Sequence, residues 1–335
     1  MPKIDGTGGH HHAAEVARDW DVHPAVAEIK RPPADVFCVA DVHGDCTKLR
    51  RLLAAAGLAR FDPPGNKVTW TGGRNTLVCT GDLIDKWGQS LATIRLFMQL
   101  QQQAAAAGGR VVVTMGNHEQ RFLSDPKNAQ HKTFVAELKA AGLRLKDVVR
   151  AEDSLGVGTW LRDLPVAAKV GDWFFVHAGN THGRTIDEIN ADVARGVDRK
   201  GFGAKVLGGA NSMLNARLGE ENWWDKEGEL GDRPGEVIDT IVKAVGARHL
   251  FEGHVSGAVD LPHGAVRKPG EPYRFFGKDG QKFFLGDAGL SRGVAGTGVM
   301  IHIRPRRGDQ PERVTAIGQD GHSAEIDSFE RTPGR

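Results

Sequence analysis

Hydrophobic residues in this chain gather into short runs, and five of these runs stop at a polar, glycine-containing segment. Val36 to Ala40 lead into Asp41, Val42, His43, Gly44 and Asp45. Thr76 to Thr80 lead into Gly81, Asp82, Leu83, Ile84 and Asp85. Val111 to Met115 lead into Gly116, Asn117, His118 and Glu119. Trp173 to Val176 lead into His177, Ala178 and Gly179, and His249 to Glu252 into Gly253 and His254. Short runs that are apolar on both faces predict buried strands.

Between these runs the apolar period lengthens. Leu49, Leu52, Leu53 and Ala56 predict a helix, with Thr47 as its cap and Gly57 as its stop. Leu91, Ile94, Phe97, Met98 and Ala105 predict another, opened by Ser90 and closed by Gly108 and Gly109. Phe134, Leu138, Ala141 and Leu145 keep helical spacing, as do Val237, Ile238, Ile241, Val242 and Val245. Phe283 to Leu285 and Val299 to Ile301 predict late strands. Strand, loop, helix, strand is the grammar of an α/β sheet with helices on its faces.

The pattern weakens at the ends. Residues 1–33 read as an N-terminal arm, with His10, His11 and His12 set aside as an incidental tract before the stop at Arg31-Pro32-Pro33. Residues 34–304 read as the core domain, with a polar, glycine-broken lip over about 183–235. Residues 305–335 read as a charged C-terminal tail.

Charge adds mainly exclusions. Lys and Arg number 44 against 42 Asp and Glu, so no bulk attraction to nucleic acid or an anionic membrane is expected. No apolar run is long enough for a bilayer span, and the N-terminal stretch lacks a secretory apolar segment. Cys38 and Cys79 fall inside predicted strands, so buried thiols and a cytoplasmic location are expected. The pattern leaves the oligomeric state open.

The polar residues at the run ends are metal-ligand types. Asp41 and His43 are two apart at a strand end and can reach one ion. Asp82 can bridge two ions through its two oxygens, and Asn117, His177 and His254 can complete a second. Mixed oxygen and imidazole donors suit two divalent transition-metal ions, manganese first, with iron or zinc as alternatives. Such a pair can clamp a phosphoryl group and acidify a bridging water. Asp85 can orient His118 as a proton donor, and Lys86 can hold phosphate as a point charge. Arg121 can face phosphate, Glu119 or solvent. Asp45 is read as a helix-start residue rather than a ligand, Asp287 as a turn former or a support of the site, and His131 as structural.

With these residues in order, the chain resembles the calcineurin-like metallophosphoesterases, in the phosphoprotein phosphatase branch, and most of all the Shewanella-like protein phosphatases. The motifs are Asp41-Val42-His43-Gly44, Gly81-Asp82-Leu83-Ile84-Asp85, Gly116-Asn117-His118-Glu119, Val176-His177-Ala178-Gly179 and Gly253-His254. Gly286 to Gly293 resembles that subgroup's late D-T-G-x-S-R-G segment. The resemblance implies a two-sheet β-sandwich flanked by helices, with the metals at the sheet ends. It assigns Asp41, His43 and Asp82 to one metal, and Asp82, Asn117, His177 and His254 to the other. His118 becomes the general acid and Asp85 its partner. The chain departs from the pattern at Lys86, where Arg is usual, and at Trp87, where Gly is usual. Asn222 to Lys226 replace a W-x-R segment. Ser256 stands where diesterase relatives carry a second His, which favours monoesters.

The expected function is hydrolysis of phosphomonoesters, on phosphoprotein at Ser/Thr or Tyr, through a metal-bridged hydroxide. A nucleotide or dinucleoside-polyphosphate hydrolase is one alternative. A catalytically weak binding or scaffold protein that keeps the fold is another.

Overall fold

The computed structural model describes residues 18–63, 67–218, 234–260, 266–267, 274–276, 283–294 and 296–329. The histidine tract and the Trp223-Trp224 segment lie outside these residues.

Two six-stranded sheets face each other. One runs in the order Ser323–Phe329, Glu312–Ile317, Met300–Arg304, Val36–Val39, Thr76–Cys79 and Arg110–Val113. The other runs Val26–Ile29, Ala167–Val170, Trp173–Val176, His249–Glu252, Phe283–Leu285 and Arg274–Phe276. The doubly apolar runs now have a cause. In Val36–Val39, Val36 and Cys38 point into the core between the sheets, with Phe175, Phe251 and Phe284. Phe37 and Val39 point outward, into the core shared with the helices. Alternate side chains of one strand thus fill two cores, so no face is left for polar residues.

Val36–Val39, Thr76–Cys79 and Arg110–Val113 are parallel neighbours, and so are Trp173–Val176 and His249–Glu252. Parallel pairing brings the loops that follow these strands to one end of the sandwich, where α/β proteins bind ligands.

Several local expectations are corrected. The first helix, Cys46–Ala55, is capped by Asp45, which accepts from Lys48 N at 3.1 Å, not by Thr47. The second, Ser90–Ala106, has Gln89 at its cap position without a side-chain bond. Its first N–H groups are satisfied from a distance by Glu137, which accepts from Ser90 N at 3.1 Å and Leu91 N at 2.8 Å. Val26–Ile29, expected within an arm, pairs in parallel with Ala167–Val170. Glu312–Ile317 and Ser323–Phe329, expected within a tail, extend the other sheet beyond Met300–Arg304. Part of the expected lip is the helix Ile186–Lys200, opened by a Thr185–Glu188 capping box and seated by buried Ile189 and Val193.

Candidate active site

Strand ends from both sheets deliver the site, and strained backbone shapes it. Seven non-glycine residues have positive φ among those described, and five of them are His43, Asp82, Asp85, Lys86 and His254. Such conformations cost of order 1–3 kcal/mol each and persist only where the surroundings impose them. Glu119 is one such imposition. Its buried carboxylate accepts from Asp82 N (2.9 Å), Leu83 N (2.8 Å), Ile84 N (3.2 Å) and Gly116 N (2.9 Å). It ties the Asp82 loop to the start of the helix Asn117–Ser124. Burial first, then the nearby Asp82 charge, pushes its pKa up to about 7.

His177 Nδ1 donates to Thr80 O at 2.9 Å, which leaves Nε2 with a bare lone pair. That nitrogen lies 3.0 Å from Asn117 Oδ1, 3.0 Å from His254 Nδ1 and 3.4 Å from Asp82 Oδ1. Asn117 Oδ1 faces further acceptors, both oxygens of Asp82. Atoms bound about 2.1 Å from one divalent ion stand roughly 3.0–3.4 Å apart, so this spacing fits a shared cation.

His43 Nδ1 turns to Ile84 O at 3.3 Å and directs Nε2 inward. There it lies 3.5 Å from Asp82 Oδ2 and 3.8 Å from Asp41 Oδ2. Asp41 Oδ1 accepts from His254 N at 3.0 Å, whereas its buried Oδ2 has no hydrogen-bond partner among the described residues. Asp82 therefore presents one oxygen to each group. Two sets, His43–Asp82–His118 and Asp82–His177–His254, each bring their donor atoms within 4.8 Å.

The electrostatics also call for cations. Burial, then Asp287 and Asp82, raises the Asp41 pKa well above the carboxylate range. Burial pushes Asp287 up to about 6. For Asp82, burial works upward, but His177, His118, His43 and His254 outweigh it and hold the carboxyl ionised. Three buried carboxyl groups at close quarters are costly without positive charge to neutralise them.

The proton-transfer residues meet as a chain. His118 Nδ1 lies 2.7 Å from Asp85 Oδ2, and His118 Nε2 lies 3.8 Å from Asp82 Oδ2. Burial lowers the His118 pKa, but the Asp82 charge and the Asp85 hydrogen bond outweigh it, so the net shift is upward. The same Asp85 oxygen receives His131 Nδ1 at 2.7 Å. His131 is fully buried, edge-on to Phe122. The sequence carried no signal for this contact, because His131 lies outside every motif.

The cations expected at phosphate are placed differently. Lys86 Nζ lies 2.8 Å from His43 Nε2, on the metal side of that ring. Arg121 donates to Gln130 Oε1 at 2.8 Å. Arg217, in the expected lip, is the cation that lowers the His254 pKa, after burial and His177. The late Gly286 to Gly293 segment braces the first loop. Arg292 grips Asp45 through Nε and Nη2, both at 2.8 Å, and lies 4.6 Å over the Trp87 ring. Ser291 Oγ donates to His43 O at 3.1 Å. A side chain at Gly293 would strike Lys86 O at 2.6 Å.

The calcineurin-like phosphoesterase family profile matches residues 34–257, a stretch that contains every one of these metal-facing side chains. The chain belongs to that family. Among curated relatives of this phosphoesterase, Shewanella-like protein phosphatase 2 of Arabidopsis thaliana is 33% identical over 87 residues, 26% of this chain and 21% of the relative. The symmetrical bis(5'-nucleosyl)-tetraphosphatase of Xylella fastidiosa strain M23 is 30% identical over 211 residues, 62% of this chain and 61% of the relative. The matches thus span less than two thirds of these relatives' lengths. In fold, the phosphoesterase is similar to the cold-active protein-tyrosine phosphatase of a psychrophilic Shewanella. The TM-score is 0.65 at 22% identity, covering 91% of this chain and 82% of that one.

Proposed function

We propose that the protein is a binuclear-metal phosphomonoesterase acting on phosphoprotein. The observation that carries this reading is the His118–Asp85 pair beside the Asp82 carboxylate, at 2.7 Å and 3.8 Å. Asp41, His43 and Asp82 would hold one divalent ion, manganese by preference, and Asp82, Asn117, His177 and His254 the other. When bound, the ions supply a water acidic enough to attack at neutral pH and charge to neutralise the phosphoryl oxygens. The residues do the rest. Asp85 fixes the His118 ring by accepting from Nδ1, so Nε2 is the nitrogen left to protonate the departing alkoxide or phenoxide. The Asp85 hydrogen bond and the Asp82 charge shift the His118 pKa upward against burial, the direction a proton donor needs. Lys86, whose ammonium lies 2.8 Å from His43 Nε2, is the cation we assign to a phosphate oxygen.

A dinucleoside tetraphosphate is the second reading, favoured by the tetraphosphatase relatives, whose matches extend over 43% to 62% of the chain. Phosphotyrosyl and phosphoseryl peptides, p-nitrophenyl phosphate and diadenosine tetraphosphate should be assayed side by side with manganese, zinc or magnesium. The proposal expects manganese-supported turnover of peptides to exceed that of the tetraphosphate. Turnover of the tetraphosphate alone would replace it with the second reading.

A further inference from the structure

Along the Ile186–Lys200 helix lies a cavity of about 730 Å³, a size that suits a ligand or part of one. Its wall carries Arg184, Arg195, Arg199, Lys200 and Lys205, against one carboxylate, Asp192. Five cations against one anion leave four net positive charges here, twice the +2 of the whole chain. Asp192 is spoken for by Arg195 at 2.7 Å and Arg184 at 3.3 Å. Arg199, Lys200 and Lys205 are exposed and form no ion pair among the described residues. Positions 192, 195, 196 and 199 share one face of the Ile186–Lys200 helix, because residues three and four apart stack. The floor is small and apolar. A side chain at Gly196 would meet Val206 Cγ1 at 2.6 Å, so the glycine lets the next segment close against the helix.

The loop after His177 joins this cavity to the metal site. Ala178 N donates to Met213 O at 2.8 Å, and His182 Nε2 sits 2.8 Å from Asn211 O. His182 and Asn211 line the cavity, and the chain then runs on to Arg217, whose charge acts on His254.

We propose that this basic cavity recognises acidic side chains flanking the phosphorylated residue of a protein substrate. The proposal rests on the phosphatase reading and names its substrate class. Arg195 and Arg199 stand about 6 Å apart along the helix, and Lys205 lies beyond its end, a spread that suits carboxylates on successive residues. Among the described residues the one ring lining the cavity is His182, held 2.8 Å from Asn211 O, and no Phe, Tyr or Trp there offers a nucleobase a stacking face, which argues against the nucleoside end of a dinucleotide.

The test is the double variant Arg199→Glu with Lys205→Glu, assayed on four substrates. KM for a phosphopeptide with aspartates on both flanks should rise on the order of tenfold, and the rise should shrink in high salt. A phosphopeptide with uncharged flanks and p-nitrophenyl phosphate should be unchanged. Equal effects on both peptides, or an effect on diadenosine tetraphosphate alone, would overturn the proposal. Fluorescence anisotropy of the acidic peptide without phosphate separates this question from turnover. If the wild-type protein hydrolyses nothing yet binds that peptide through Arg199 and Lys205, the cavity assignment stands and the phosphatase reading fails.

Discussion

Lys86 Nζ lies 2.8 Å from His43 Nε2, so an ammonium group meets the nitrogen that the first metal would also use. Lys86 is exposed, so the group has room to leave. Lys86→Met should therefore tighten divalent-ion binding at one of two sites, by up to about tenfold, while lowering kcat/KM on a phosphomonoester. Competition against a fluorescent chelator reads the first effect without turnover. Unchanged affinity would show that lysine and metal do not share His43.

Asp82 shows one oxygen to His177, at 3.4 Å, and the other to His43, at 3.5 Å. Asp82→Asn should weaken both ions together. Plasma-emission analysis of the purified variant should find less than one ion per chain. Two tightly held ions would contradict the bridging role.

His118→Asn should retain fold and metal but lose about two to four orders of magnitude in rate. The loss should be largest on an alkyl phosphate and smallest on p-nitrophenyl phosphate, whose leaving group needs no proton. Asp85→Asn should follow the same ranking with smaller losses, since it works through His118. Equal losses on both substrates would remove the proton-donor assignment.

Glu119 holds four backbone N–H groups from two loops. Glu119→Ala leaves these donors buried and unpaired, at roughly 1–3 kcal/mol each before relaxation. Urea unfolding should show a loss of at least about 3 kcal/mol, larger than for His118→Asn. A loss within 1 kcal/mol would mean that the Asp82 loop holds its shape without Glu119.

Glu312 predicts a pH effect away from the metals. Burial first, against the hydrogen bond from Trp173 Nε1 at 3.1 Å, pushes its pKa up to about 7. The folded protein then holds a proton that the unfolded chain releases above its ordinary pKa of 4.5. Its contribution is full below pH 4.5 and is lost as pH rises to about 7, a difference of about 3 kcal/mol. Glu312→Gln should remove this slope, so the variant gains on the wild type between pH 5 and pH 8 in denaturant melts. Parallel pH profiles for the two proteins would show that Glu312 is ionised in the folded state.

The strand-end residues were legible in sequence because each central strand fills two cores. Val36 and Cys38 serve one core and Phe37 and Val39 the other, so the apolar run is continuous and its end is unmistakable. Strands on the margins lack that signature. Val26–Ile29 buries only its first residue, and Glu312–Ile317 mixes buried with exposed positions, so both read as arm and tail. Their place in the sheets depends on partners far along the chain. The same holds for caps and braces. Local patterning pointed to Ser90, whereas Glu137 reaches across from another helix to satisfy that terminus. His131 on Asp85 and Arg292 on Asp45 join residues that no motif connects. Local sequence thus determined which residues end the buried strands, since the hydrophobic effect writes itself into the period of a segment. Only the tertiary structure decided which side chains share a carboxylate and which cation faces His43. Hydrogen bonds and charges act over a few ångströms of space, whatever the separation along the chain.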